Sequence, residues 1–366
     1  MYSESDLENA VGAGALTPEA AQAFRAHVAT GRATPAVDEE SFRLLTGFND
    51  IFVSIAIVLT LVAVGWIGGS LGGESAIGGV LGSIAVAAAS WGLAEYFTRQ
   101  RRMALPSIVL LLTFVGGVAS TLTSALIANA EPIGESLKAQ TSNEYAIIAI
   151  AGVVGAIVAG LTAASAWLHW RRFMVPITVA AGAVAVVGVV LSLIFGFIPA
   201  ARDFVMPIVL LAGLGMFAFA MRWDVSDLER RTRRSDVAFW LHLAAAPMIA
   251  HALFNLLGVF EGSDITALKA VAVLALYVAF AFVALAIDRR ALLVSSLVYV
   301  LYALYALFTQ AGAVELGGAL TALVIGSALL TLSAFWQPMR LRVVGLLGNL
   351  AGRLPPVAIG PSPRPA

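Results

Sequence analysis

Ten stretches of 18 to 25 residues in this chain are almost free of charge. Each is long enough to cross roughly 30 Å of hydrocarbon as a helix rising about 1.5 Å per residue. They fall at about 50–69, 76–97, 105–128, 145–168, 174–198, 204–221, 237–259, 267–287, 291–310 and 316–335. Backbone polar groups in hydrocarbon must be satisfied internally, and segments of this length do so as helices. The expected fold is therefore all-α, a polytopic transmembrane helix bundle of about ten spans. Composition agrees: 60% of the 366 residues are apolar and 12% charged, against about 45–50% and about 25% in soluble domains.

The positive charges test that count, because Lys and Arg collect in cytoplasmic loops. The loops after even-numbered spans, with the start of the C-terminal tail, hold Arg99, Arg101, Arg102, Arg171, Arg172, Arg222, Arg230, Arg231, Arg233, Arg234, Arg289, Arg290, Arg340, Arg342 and Arg353. The other loops hold only Lys138, Arg202 and Lys269, so the division is fifteen against three. One span more or fewer would scatter the set. Both termini are predicted in the cytoplasm, with Arg101, Arg102, Arg171, Arg172, Arg230, Arg231, Arg233, Arg234, Arg289 and Arg290 as topology anchors. The parity requires a tight reversal at IPAARD, residues 198–203, where Pro199 and Pro207 favour a break.

Residues 1–48 predict a small cytoplasmic helical hairpin and a lead-in. Gly12 and Gly14 break its first helix, and Thr17-Pro18-Glu19 starts its second. The apolar set of this hairpin is too small for a core of its own, so it is expected to dock on the bundle or on a partner. Residues 49–336 form the bundle. In 337–366, Met339, Val343, Leu346, Leu350 and Leu354 recur at helical spacing, which predicts an amphipathic helix on the membrane surface, followed by a proline-rich tail too irregular to fold.

Formal net charge is zero and the arginines border apolar runs, so no basic domain argues for nucleic acid. With no cysteine, disulfides and thiolate ligands are excluded. The first 48 residues lack a secretory-signal pattern, and the first span is expected to direct insertion. Walker loop, HExxH, GxSxG and paired intramembrane aspartates are all missing. Enzymatic activity, cofactors and metal are not expected; the predicted partners are the lipid bilayer and a cytoplasmic protein.

Two internal patterns concern packing. Arg101-Arg102 with Pro106 resembles Arg171-Arg172 with Pro176, read as charges anchoring helix ends and proline in a helix's first turn, with a duplicated helix pair or two inverted five-span halves as the alternative. Gly116, Ser120 and Ser124, and likewise Gly152, Ala156, Gly160 and Ala164, are small-residue stripes suited to close helix contact.

Ionisable groups deep in hydrocarbon are the first place to look for function. The seventh span supplies them: His251 near mid-depth, Asn255 one turn on along the same face, and Pro247 one turn before, freeing the carbonyl of Leu243. A kink lined by a cavity is the expectation. His242 precedes His251 by nine residues, which puts the two on opposite faces and against one shared metal. A haem would need His169 or His27 from elsewhere. Glu95 reaches Arg99 one turn on, an interfacial ion pair weighed against a transport role. Tyr299, Tyr302 and Tyr305 form a stepped aromatic row.

The stretches DEESFRLLTGFNDIFV, AEYFTRQRRMALPSIVLL and DVAFWLHLAAAPMIAHALF together resemble an uncharacterised family of bacterial multi-pass membrane proteins with a short helical N-terminal region. The resemblance implies a bacterial inner-membrane location and no mechanism. The leading functional expectation is a transporter or channel-like protein for a small solute or lipid, with His251 and Asn255 touching substrate or a coupling proton. The alternative is a membrane scaffold or sensor recruiting partners through its cytoplasmic ends.

Overall fold

The computed structural model describes residues 10–24, 48–73, 76–228, 230, 232–259, 266–310 and 315–357. The chain divides into two units, Met1–Phe42 with Ala358–Ala366, and Arg43–Val357. Of the first, 10–24 is described: helical at 10–12 and 18–24, with Gly14 at φ 72 in the turn and the Thr17 hydroxyl accepting from the Ala20 amide at 3.1 Å. The rest of the expected hairpin with His27, the lead-in at 38–47 and the tail from 358 lie outside the described residues.

The second unit is helical, with no strand among the described residues. Its helices are α1 (Phe48–Ser70), α2 (Ala76–Ala94), α3 (Ala104–Ala128), α4 (Ala130–Gln140), α5 (Glu144–Phe173), α6 (Ile177–Phe197), α7 (Val205–Val225), α8 (Arg233–Leu256), α9 (Ala267–Ile287), α10 (Ala291–Gln310), α11 (Gly317–Ala334) and α12 (Trp336–Leu346). All but α4 and α12 are long and apolar enough to span a bilayer, ten in number. Phe48, Trp66, Leu71, Leu268 and Leu330 are each more than 70% exposed, a surface water would not tolerate and acyl chains satisfy. The protein is a multi-pass integral membrane protein.

The spans fall where the apolar runs do, with two instructive differences. Helix α5 continues past the expected end through Trp170, Arg171, Arg172 and Phe173, and α8 begins four residues early at Arg233. Arginine is a good helix former whose stem lies along apolar surface while its head reaches polar ground, so the charge clusters do not end the helices. Helix α4 was not expected: its 11 residues, AEPIGESLKAQ, have no buried member and no apolar run to announce them.

The reversal at 198–203 is present as a 3-10 turn, Pro199–Phe204. Its direction follows from contacts: Trp240 near the start of α8 packs against the buried cluster that includes Val175 and Ile177 at the start of α6, and Asp224 at the end of α7 bonds His242 of α8. The start of α6 and the end of α7 thus lie at one end of the bundle, and the chain turns back at the other.

By the same reasoning the α2–α3, α5–α6, α7–α8 and α9–α10 turns share that arginine-rich end. Among the described residues each contains one side-chain-bearing residue in the left-handed region, Arg102, Met174, Arg230 and Asp288, at φ between 53 and 57. The two arginine-proline motifs, however, are built differently. Arg101 and Arg102 follow the π turn Glu95–Gln100 that ends the second span, whereas Arg171 and Arg172 sit inside the last turn of α5. The left-handed residue is four before the proline in one and two before it in the other. This favours independent helix ends over a duplicated pair.

Helix α8 is central. Over its most apolar stretch 56% of residues are buried, against 0% to 39% in the other spans. Alanines at 238, 245, 246, 250 and 252 let α6, α7 and α10 approach closely, and Phe254 stacks on Tyr299 of α10 at 4.5 Å between centroids. The helix is continuous through Pro247, whose ring lies on its exposed side.

Candidate functional site

An aspartate in the last turn of a helix faces the negative end of the macrodipole, and a carboxylate inside an apolar bundle costs several kcal/mol unless partnered. Asp224 of α7 has both handicaps, being 1% exposed. Its partners are correspondingly strong. Arg289 donates through Nη2 to Oδ1 at 2.6 Å, with Nε 3.4 Å from Oδ2, and His242 Nε2 lies 2.8 Å from Oδ2. Arg289 Nη2 also reaches the carbonyl of Ser235 at 3.1 Å and its hydroxyl at 3.4 Å. Arg289 and His242 are as buried as the carboxylate they hold.

Each member arrives from a different element. Thr232 caps α8, accepting from the Arg234 amide and donating to Asp227, which fixes where the first turns carrying Ser235 and His242 begin. Asp288 closes α9 in the left-handed conformation that aspartate tolerates, and Arg289 follows it into the interior. With Nε2 turned to Asp224, the other ring nitrogen, Nδ1, is buried with no hydrogen-bond partner among the described residues. The Phe217 ring packs edge-on against this imidazole at 5.1 Å.

A second layer surrounds the first. Asp288 accepts from Arg230 Nη1 at 2.9 Å and from the Trp336 indole at 2.8 Å, and Arg340 Nε stands 3.6 Å away. Arg230 and Asp288 are themselves the left-handed residues of two neighbouring turns, and Arg230 also donates to the Ile287 and Asp288 carbonyls. Arg340 is wholly buried and donates to the carbonyls of Pro355 and Pro356, tying the end of the described chain to the network. Burial pulls its guanidinium below the ordinary value and Asp288 opposes the shift. Two carboxylates, three guanidiniums and one imidazole thus join α7, α8, the α9–α10 turn and α12.

The sequence candidates are distributed unevenly over this picture. His242 is in the network. His251 is on the opposite face as expected, but it is exposed and its Nδ1 lies 3.0 Å from the Tyr299 hydroxyl; Asn255 beside it is half-buried. His251 and Pro247 thus lie on the exposed side of α8. Glu95 forms its own exposed cluster, taking Arg172 at 2.7 and 2.9 Å and Arg99 at 3.2 Å. Arg101 bonds Tyr96, Arg171 lies over Trp167, and Arg102, Arg233 and Arg234 are exposed; Arg231 is outside the described residues. Arg289 and Arg230, named above as topology anchors, also pair with buried or half-buried carboxylates.

Asp224, Asp288, Arg340 and Trp336 were missed. The available signal was two aspartates, in WDVSD and AIDRR, at the very span ends where basic residues dominate. His169, considered only as a haem ligand, is fully buried among Trp91, Phe114 and Phe173, with Thr178 3.4 Å from Nδ1. Among the described residues no three His, Asp or Glu converge as metal ligands.

The C-terminal segment also differs from expectation. Helix α12 ends at Leu346 and a 3-10 turn, Gly348–Arg353, follows Gly348 at φ 52. Met339 and Val343 pack against Leu285, Leu293 and Trp336, so this helix is docked on the bundle, while Leu346 and Leu350 are exposed. Compared with protein-family models, curated proteins and solved structures, the chain matches none.

Proposed function

We propose that this integral membrane protein is a carrier of a small solute or lipid, gated from its arginine-rich end by the Asp224–Arg289–His242 network. The observation that carries the reading is a fully buried ion pair with an imidazole on the same carboxylate, shared by three elements. Such a pair adds little net stability compared with apolar residues of the same size, and switching between registers is the better-attested use of buried charge. A half-broken network strands a charge in low dielectric, so α7, α8 and the α9–α10 turn separate together or not at all. His242 titrates in the physiological range when unperturbed, and a proton on Nδ1 creates a donor with no acceptor until the helices move.

The fifteen-to-three division of basic residues supports a cytoplasmic location for this end and for both termini, and with the resemblance noted above, a bacterial inner membrane. The second reading, a scaffold or sensor, is favoured by exposed Leu346 and Leu350 on the C-terminal segment.

The absence of cysteine makes the test direct. Spin labels on cysteines at the exposed positions Arg222 and Val294, in liposomes, report the distance between the end of α7 and the start of α10. A carrier gated here gives two distance populations whose ratio moves with pH, and His242→Gln removes the pH response. One population at every pH overturns gating and leaves the scaffold reading.

A further inference from the structure

Two antiparallel spans, α10 and α11, leave an apolar slot of about 200 Å³ between Leu293, Val294 and Leu297 on one side and Leu329 and Leu332 on the other. From Arg290 to Leu297, and from Trp336 back to Leu329, is seven residues each way, so the slot follows two helical turns, about 10 Å, along the spans. Its polar groups gather at one end: Arg290, Ser333 and Trp336. Val294 on α10 is 65% exposed and Leu330 on α11 74%, a surface that acyl chains cover.

Three features specify the occupant. The walls are branched aliphatic side chains with no charge, which accept hydrocarbon. Among the described residues the one charged wall residue, Arg290, sits between the last residue of α9 and the first of α10, at the level where a span leaves hydrocarbon, and its guanidinium Cζ is 4.6 Å from the centre of the Trp336 ring. Guanidinium matches phosphate geometry, and tryptophan at the membrane interface is apolar in body with a polar edge. Here that edge is already given to Asp288 at 2.8 Å, which fixes the ring as a floor under Arg290.

We propose that this slot binds one acyl chain of an anionic phospholipid, with the lipid phosphate held at the mouth by Arg290. The inference is independent of the gating proposal, since neither Asp224 nor His242 lines the slot. A bound lipid here would rest against Trp336, and through it against Asp288 and the second layer of the network.

The test is lipid retention by the intact protein. The purified full chain is mixed in mild detergent with equal amounts of dioleoyl phosphatidylglycerol and dioleoyl phosphatidylcholine, and bound lipid is counted by native mass spectrometry. The expected result is one retained phosphatidylglycerol, favoured about five-fold over phosphatidylcholine, as one interfacial arginine provides. Arg290→Gln removes the preference while Arg290→Lys keeps most of it, a contrast a merely unfolded variant does not give. Val294→Trp, at an exposed position that needs no room in the core, lowers retention of both lipids. Equal retention of the two lipids by the wild type overturns the proposal, as does an unchanged preference in Arg290→Gln. Loss of bound lipid on adding inorganic phosphate points to a free anion site and also overturns it, as does a second copy of the chain excluding lipid.

Discussion

The first five spans and the last five are held together by different means. In the first five, backbone meets backbone. A Cβ on Gly152 of α5 would fall 2.5 Å from the Cα of Gly196 on α6; on Gly78 and Gly82 of α2 it would fall 2.6 and 2.7 Å from the carbonyls of Gly69 and Gly65 on α1. In the last five, side chains fill the space, and the tightest joint is ionic, between Asp224 and Arg289. Close approach of small residues gains dispersion contact without charge, and its geometry is set locally along each hairpin. A buried ion pair reaches across the sequence instead, here over 65 residues, whereas the long-range Glu95–Arg172 pair of the first half is exposed. The glycine half is thereby a set of rigid hairpins, and the charged half is where a single event can loosen several helices at once.

Arg289→Gln should break this contrast most strongly. It leaves Asp224 buried beside only His242, a loss of about 3–5 kcal/mol, read as a lower melting temperature of the detergent-purified protein. The double variant Asp224→Asn with Arg289→Gln should recover much of that loss. Equal melting of single and double variants would show that the ion pair does not hold the charged half.

The glycine half makes a prediction of sign. Gly152→Ala forces α5 and α6 apart, an overpacking loss of about 1–3 kcal/mol. Gly160→Ala, whose new Cβ would meet nothing nearer than 4.0 Å, should stabilise by about 0.5–1 kcal/mol through helix propensity alone. The same thermal measurement on both separates contact from composition.

In the second layer, Trp336→Phe removes one donor from Asp288 and leaves the ring. The expected loss is about 1 kcal/mol, with the spin-label distance between 222 and 294 broadened and not relocated. The smallest effect should come from Glu95→Gln. Its arginine partners are exposed and screened, so melting should not change measurably, and any difference at low salt should vanish at high salt.

How much of this was legible beforehand differs between fold and site. The spans were, because length and hydropathy are properties of contiguous residues; so was the reversal at 198–203, because two prolines and a charge pair are local. Helix α4 was not, since its eleven residues, AEPIGESLKAQ, are too few and too mixed in character to separate them from a loop. For the site, the sequence marks His242 and His251 alike as ionisable groups of one span, nine residues apart on opposite faces. Nothing along the helix says which of two opposite faces is the inner one. That is decided by what α6, α7 and α10 bring against it.

The sequence alone determined that this chain lives in a membrane, how many times its helices are able to cross it, and that its arginines belong to alternate turns, because the bilayer tests each segment separately against the same thickness and the same aversion to charge. Only the tertiary structure decided that Arg289 and Arg230 pair with carboxylates, that Asp224 is tolerable at the end of α7, and that α12 docks instead of floating. Those outcomes depend on partners from four separate elements meeting at one place, and a buried charge has no meaning until its partner is within about 3 Å.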